Sequence, residues 1–242
     1  MPQPTDPLRA ELAPTGTLRI ALNMRNELLN RTDATGEPAG VAPELGRELA
    51  RRLGLPVALR PYPNPGDAAD AATRDEWDVC FLAAEPERAR EIDFTGAYVE
   101  IDATYLVPGE STLRAADDVD AQGVRIVAPA RAAFELYLTR TLAHAALTRA
   151  SGADEAFERF RAERFDALAG LRPRLVKDRE KAPGSRILEG RFTAVQQAAG
   201  VPRGRPRAAD YLRAFVEDIR TSGLVAEAIA RNGVVGLTIV EG

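Results

Sequence analysis

Polar and apolar positions alternate from Thr17 to Leu22 and then give way to Asn23-Met24-Arg25-Asn26, which predicts a first strand ending at those residues. The Asp, Thr, Gly and Pro content from Arg31 to Gly40 predicts a loop. Over Val41–Leu53, Leu45, Leu49 and Leu53 share one helical face, Arg47, Glu48, Arg51 and Arg52 lie largely opposite, and Gly54 is placed to end the helix. Val57-Ala58-Leu59 reads as a second strand. Tyr62-Pro63-Asn64-Pro65-Gly66 is a rigid turn into an alanine-rich helix ending near Arg74. Val79-Cys80-Phe81-Leu82 is an unbroken apolar run, hence a buried strand, and it breaks at Glu85-Pro86. Pro86 lacks an amide donor and suits the first turn of a helix, which puts Arg88 on a short helical turn past the carboxyl end of a strand. In open α/β sheets that edge is where small ligands bind. A buried strand followed by a solvated Arg/Glu helix fits the same pattern equally well.

The pattern then restarts. Thr104–Val107 is a strand stopped by Pro108-Gly109, Asp117–Gly123 is a polar turn, and Val124–Ala128 is a strand. A helix is expected from Pro129 to about Ala143 with Phe134, Leu138 and Leu142 on one face. Ala146-Leu147-Thr148 is a short strand, Asp154 begins a helix with Phe157 and Phe160 inward, and Phe165–Leu168 is another strand. Ile187-Leu188 and Phe192–Val195 read as strand pieces. Two helices follow, Ala208–Thr221 with Leu212, Phe215 and Ile219 on one face, capped by Gly223, and Leu224–Arg231. Two β-α-β-α-β units imply an α/β chain of two lobes with parallel sheets. The expected division is 1–100 with 195–242 against 103–190, crossed near 99–102 and 191–196, which would form a double hinge.

Composition removes several functions. A net charge of -4 leaves no basic footprint for nucleic acid, and the Arg203, Arg205, Arg207 run sits among Gly and Pro, where a solvated loop is expected. Cys80 is alone inside an apolar strand and reads as a core thiol, and with His144 the single histidine, His- or Cys-based metal sites are excluded. His144, in L-A-H-A-A-L, reads as a helix C-terminus rather than a catalytic base. No metal or cofactor is expected. The opening M-P-Q-P-T-D-P-L-R-A-E-L has neither a basic n-region nor an apolar h-region, and no window approaches a membrane span. The chain is expected in the cytoplasm as encoded, or in the periplasm if it is a mature chain given a start methionine.

Four stretches, in order, resemble the solute-binding proteins of family 3, the polar amino-acid type with the type II periplasmic-binding-protein fold. Gly16-Thr17-Leu18-Arg19-Ile20-Ala21 is similar to the opening G-x-L-R-V-G of that family. Gly40-Val41-Ala42-Pro43-Glu44-Leu45 with Ala50 and Leu53-Gly54 is similar to G-F-x-x-D-L…A…L-G. Pro86-Glu87-Arg88-Ala89 with Ile92-Asp93-Phe94-Thr95 and Tyr98 is similar to P-E-R-A…V-D-F-S-x-P-Y, the most specific of the four, and Phe165-Asp166-Ala167 stands where the family has a V-D-A strand. The resemblance implies two lobes joined by a two-strand hinge, and a solute held in the cleft between them by Arg88, whose planar fork matches a carboxylate. The helix start at Pro86-Glu87 would add amide donors.

The departures matter as much. Glu85 replaces a Thr or Ser, Ala83 and Ala84 replace hydroxyl-bearing residues, and the segment from Asp78 to Arg88 is about two residues short by comparison with that family. Arg131-Ala132 stands for the Gly-Thr pair of the second lobe, and the acid that grips a ligand ammonium falls at about Leu171. The expectation is that Glu85 accepts an ammonium or another donor, that Arg88 and Arg131 clamp an anionic group, and that Asn23 and Asn26 add neutral hydrogen bonds. Ala83, Arg88, Glu85, Asn23, Asn26, Arg131 and Ala132 are the candidate ligand residues. The implied function is a monomeric binding protein for a small, carboxylate-bearing, amino-acid-like solute, with an ABC-transporter permease as partner. A cyclohexadienyl-dehydratase-like enzyme on the same fold is the alternative, with Glu85 as general acid and Glu135 as a weaker choice expected at the surface. A cytosolic ligand sensor is a third reading.

Overall fold

The computed structural model describes residues 5–240, so the outermost positions of the expected first lobe lie outside the described residues. It opens on a helix that the periodicity does not predict, α1 (Asp6–Leu12), with Pro7 in its first turn and Leu8 and Leu12 buried. Strand β1 (Leu18–Asn23) follows as expected. The expected loop is instead a small antiparallel ribbon, β2 (Arg31–Thr32) and β3 (Pro38–Ala39). Asp33 closes it, accepting hydrogen bonds from the backbone of Thr35 and Glu37 and from the Thr35 hydroxyl. Helix α2 (Val41–Leu53) ends at Gly54, which is left-handed at φ 63 as predicted. Its start requires Gly40: at φ 117, a Cβ there would stand 2.5 Å from the Leu29 carbonyl oxygen. β4 (Val57–Tyr62), α3 (Pro65–Asp70) and β5 (Val79–Ala83) complete the first half, with Asn64 capping α3 through the Asp67 amide. A single strand, β6 (Ile92–Pro108), then covers both the stretch after Arg88 and the predicted Thr104–Val107 strand.

The chain forms two compact units, Met1–Glu100 with Gln196–Gly242, and Ile101–Val195, so it changes unit inside β6. In the second unit β7 (Arg125–Pro129) is followed by α4 (Ala133–Thr141), β8 (Ala146–Ala150), α5 (Ala153–Ala162), β9 (Ala167–Leu171), α6 (Arg172–Lys181) and β10 (Ser185–Ile187). β8, β7 and β9 are parallel neighbours, and β6 and β10 add antiparallel strands. Phe157, Phe160, Leu168 and Leu175 share the core between α5, α6 and the sheet. α4 starts at Ala133 rather than Pro129, because Pro129 still pairs with Ala150 in the ladder and Arg131 interrupts with φ 62. α4 also stops at Thr141, so His144 is not a helix end but an exposed bend residue whose amide donates to Asp120. α6 has no counterpart in the pattern reading: R-P-R-L-V-K-D-R-E-K carries too few apolar residues to show a stripe, with Leu175 its only fully buried aliphatic.

The chain returns through β11 (Thr193–Pro202), longer than the predicted strand pieces, into α7 (Pro206–Thr221), α8 (Leu224–Arg231) and β12 (Thr238–Ile239). In the first unit β4, β1 and β5 are parallel and β11 lies antiparallel on β5. Alternate strand residues face two cores. Leu18, Ile20, Leu22, Val79 and Phe81 meet α1, α2, α7 and α8 on one side, with Leu212, Phe215 and Ile219 inward as expected. Ala21, Cys80 and Leu82 meet Ala68 and Trp77 on the other, where the indole donates to the Ala68 carbonyl at 2.8 Å.

The amino edge of this sheet is fixed by charge. Asp78 is fully buried and accepts from the Arg19 backbone at 3.0 Å, from Arg19 Nε and Nη2 at 2.9 and 2.8 Å, and from Arg205 Nη1 at 3.1 Å. Arg205 also bonds Asp75 and the Glu11 carbonyl, while the Glu11 side chain holds Arg207 and the Ala208 amide. The Arg203–Arg207 run is a turn with Arg203 and Arg207 exposed, as expected of a solvated loop, but Arg205 within it is drawn in to the buried Asp78. Its flanking Gly and Pro lead it into α7, and the buried carboxylate it meets comes from residues too distant in sequence for a local pattern to show. Removing Asp78 leaves two arginines facing each other, so Asp78→Ala is expected to lower stability by about 3–5 kcal/mol in denaturant unfolding.

Helix α2 is tied to α7 by a second group: Glu48 pairs with Arg51 and Arg52, and Arg52 with Asp218. Bonding to Arg51, offset in part by burial, pulls the Glu48 carboxyl down to about 2 from 4.5. Its contribution is present above pH 4.5 and is lost as pH falls towards 2, because the unfolded chain takes up the proton first. Glu48→Gln is expected to flatten the stability-against-pH curve in that window and leave its slope near neutrality unchanged.

Candidate functional site

β1 and β5 run side by side with Leu22 opposite Phe81, so Asn23 and Ala83 end at the same carboxyl edge of the first unit's sheet. β11 frames that end, with Gln197 opposite Ala83 and the Ala84 amide bonded to the Gln196 carbonyl at 2.8 Å. The chain then turns sharply, the Ala89 amide closing on the Glu85 carbonyl at 2.8 Å, and Arg88–Arg90 forms one 3₁₀ turn. The amide donors expected at Pro86-Glu87 thus belong to a single tight turn, not to an α-helix. Arg88 and Glu85 are both buried, each 6% exposed. Arg88 Nη1 donates to the Ala83 carbonyl at 2.9 Å, which folds the guanidinium back over the strand end. A guanidinium carries five N–H donors in one plane, so this bond sets the plane in which an anion would be met. Arg203 braces the turn from behind, its Nε and Nη2 donating to the Ala89 carbonyl at 2.9 and 2.7 Å. Cys80 lies fully buried in the same strand, and burial pushes its thiol well up, as befits a core residue.

The loop after β1 is built on three asparagines. The Asn23 carbonyl accepts from the Asn26 amide at 3.1 Å and from Asn30 Nδ2 at 3.0 Å. The Asn26 carbonyl in turn accepts from the amides of Leu29 and Asn30 at 3.1 and 2.9 Å. Asn26 is 7% exposed and Asn30 2%. Sequence reasoning singles out Asn23 and Asn26 and misses Asn30, which no motif marks. The local signal was the recurrence of Asn at 23, 26 and 30, a spacing that closes a helical-type turn.

In the second unit Arg131 and Ala132 stand at the head of α4. Ala132 is its N-cap, and Arg131 is an exposed residue held left-handed at φ 62. The Arg131 amide donates to Glu135 Oε2 at 2.8 Å. Glu135 is not a surface residue: it is 2% exposed, with Oε1 paired to Arg149 Nε at 2.7 Å and bonded by the Thr139 hydroxyl at 2.8 Å. Its position in the first turn of α4 turns it inward to cap the helix, which removes it as a candidate acid. Leu171 closes β9 and caps α6 without a side-chain acceptor. The charge beside it is Arg172, paired with Asp102 at 3.6 Å, and Asp102 also binds Arg191 at 2.8 Å. A cavity of about 430 Å³ lined by Pro108, Glu110, Ser111, Gln122, Val124 and Asp166 also lies in the second unit and includes none of the predicted ligand residues. Among the described residues no cluster of His, Cys, Asp or Glu is placed to hold a metal, and no helix is long and apolar enough to cross a membrane.

Comparison with known families matches residues 18–233 to the bacterial extracellular solute-binding proteins, family 3. No curated protein matches by sequence. Among solved structures, the solute receptor for L-cysteine of Neisseria gonorrhoeae superposes with a TM-score of 0.79 at 17% identity, covering 98% of this chain and 100% of that one. The cysteine-binding protein from Campylobacter jejuni gives 0.77 at 14% identity, with 99% and 100% covered. An ancestral amino-acid-binding protein, a precursor of cyclohexadienyl dehydratase, gives 0.73 at 20%, with 92% and 97% covered. The fold is therefore the α/β, two-lobed periplasmic-binding-protein-like type.

Arg131 occupies a backbone conformation that suits glycine, at a cost of roughly 1 kcal/mol. Arg131→Gly is therefore expected to raise stability by up to about 1 kcal/mol in chemical unfolding without solute. A raised midpoint accompanied by weakened solute affinity would show that the side chain, not the turn, is what the position serves.

Proposed function

We propose that the chain, which belongs to the bacterial extracellular solute-binding proteins of family 3, binds a small polar solute that carries a carboxylate, of the amino-acid type, and serves an ABC transporter. The observation that carries this reading is Arg88: a buried arginine folded onto the Ala83 carbonyl at the carboxyl edge of a parallel sheet. A buried guanidinium held in one plane favours a planar anion with two acceptor atoms. Glu85, equally buried and three positions before Arg88, supplies an acceptor for the ammonium of the same solute, in place of the acid that Leu171 does not provide. Asn23 and Asn26 supply uncharged hydrogen bonds beside it, and Arg131 and Ala132 are the second unit's contribution.

A dehydratase reading has one observation in its favour, the burial of Glu85, which a general acid needs. Aromatic product from prephenate or arogenate would decide for the enzyme.

Binding is read by a thermal-shift screen over amino acids, dicarboxylates and other small anions. A solute at about 100 times its dissociation constant adds about 2.7 kcal/mol of stability. For the solute so found, Arg88→Ala is expected to cost about 2–5 kcal/mol, which is about 30- to several-thousand-fold in affinity by calorimetric titration. Unchanged affinity in that variant would sink the carboxylate clamp.

A further inference from the structure

The segment that carries Arg88 is hung on β11 at both of its ends. Where the chain leaves β5, the Ala84 amide bonds to the Gln196 carbonyl at 2.8 Å, and Ala83 itself pairs with Gln197. Just past the far end of β11, the Arg203 amide donates to the Glu91 carbonyl at 2.9 Å, and the Arg203 guanidinium donates twice to the Ala89 carbonyl, at 2.9 and 2.7 Å. We propose that Arg203 is a positioning residue for Arg88: by holding the Ala89 carbonyl it fixes the turn from which Arg88 reaches the strand end, and the affinity for solute depends on it.

Ala89 follows Arg88 directly in the 3₁₀ turn Arg88–Arg90, so a shift of its peptide carries the Arg88 backbone with it. Arg88 Nη1 must still meet the Ala83 carbonyl at 2.9 Å, an acceptor whose place is set by the β5–β11 ladder. One strand therefore fixes both the base of the Arg88 side chain and the point its guanidinium rests on. That strand has no slack: a Cβ on Gly200 would stand 2.6 Å from Ile92 Cγ2 and 3.0 Å from Phe94 Cδ1. The amides of Ala89, Arg90 and Glu91 bond to the carbonyls of Glu85, Glu87 and Arg88, which shapes the turn; the bonds from Arg203 tie it to the sheet. The Arg203 side chain is 56% exposed and its ion pair with Asp93 spans 3.6 Å. Such exposed pairs contribute little to folding, so loss of the guanidinium frees the turn and leaves the core intact. Arg205 is the opposite case, since its guanidinium meets the buried Asp78. The consequence for affinity rests on the proposed function, which brings the solute's carboxylate to Arg88.

The test uses the full chain and two readouts. In NMR spectra of the solute-free protein, the guanidinium N–H resonances of Arg88 are those lost in Arg88→Ala. In Arg203→Ala they are expected to shift or broaden, while the melting temperature falls by less than about 4 °C. Binding is read by calorimetric titration with each L-amino acid as probe. For the tightest, Arg203→Ala is expected to lose at least about threefold in affinity, and Arg203→Lys, which keeps the charge but not the planar fork, to recover part of it. Arg207→Ala removes the same charge from an exposed residue paired with Glu11 and is expected to bind as the unaltered chain does. Arg205→Ala is expected to melt lower with unchanged affinity. In an Arg88→Lys background, Arg203→Ala is expected to cost less than it does alone, because the group it positions has already been replaced. Unchanged Arg88 resonances in Arg203→Ala overturn the inference. So does an equal loss of affinity in Arg207→Ala, which assigns the effect to charge, or an undiminished loss in the Arg88→Lys background, which makes Arg203 independent of Arg88. If Arg88→Ala abolishes binding while Arg203→Ala stays within about twofold of the unaltered chain, this inference fails alone. If no probe binds, the proposed function fails and the dependence of affinity with it, whereas the resonances still report whether Arg203 holds Arg88.

Discussion

A carboxylate with no exposure to solvent organises the first unit. Asp78 takes four hydrogen bonds from two arginines, Arg19 in β1 and Arg205 at the head of α7, and those arginines are joined to Asp75 and the end of α1. Buried charge is tolerated only when paired and hydrogen-bonded in this way. The consequence reaches along the chain. α7 arrives after the excursion through the second unit, so it has no local reason to dock beside residues more than a hundred positions earlier. The Asp78–Arg205 contact gives it one, and the apolar face of Leu212, Phe215 and Ile219 then seals the core.

That network lies at the amino edge of the sheet, and the candidate site lies at the opposite, carboxyl edge. The two ends handle polar groups differently. At the amino edge every donor of Arg19 and Arg205 that bonds does so to a carboxylate or a carbonyl within the chain. At the carboxyl edge the structure keeps buried acceptors on Asn26 and Asn30 without internal donors. The first edge holds strand and returning helix together, and the second is the edge at which open α/β sheets bind small ligands. The basic run 203–207 serves both: Arg205 closes the amino edge, while Arg203, at the end of β11, reaches the Ala89 carbonyl and steadies the turn that carries Arg88.

Elements with strong periodicity were legible from sequence. α2 and α8 have the predicted limits, Gly54 ends α2 in the left-handed region, and Arg88 sits on a short turn past β5. What failed had physical causes. α1 is too short for a stripe, α6 too polar, and the ribbon at 31–39 is made by the Asp33 side chain rather than by β-propensity. Glu135 looks like a surface acid from its place one turn into a helix, and the Arg131 amide, the Thr139 hydroxyl and Arg149 on the neighbouring strand hold it inside. Asn30, buried and bonded to the Asn23 carbonyl, was invisible because burial is rare for asparagine and sequence does not encode it locally.

The replacements at the candidate site can be weighed together. Arg131 keeps a backbone shape that glycine would hold without strain, and Leu171 caps α6 with no acceptor where an acid would answer an ammonium. Neither position offers a side-chain acceptor, and beside Leu171 the arginines Arg172 and Arg191 both pair with Asp102. In the first unit the buried charged residues at the strand end are Glu85 and Arg88, three positions apart. On the function proposed above, a solute would present a planar anion to Arg88 and a hydrogen-bond donor to Glu85. An amino acid carries both groups on one carbon, whereas a dicarboxylate would bring a second anion towards Glu85.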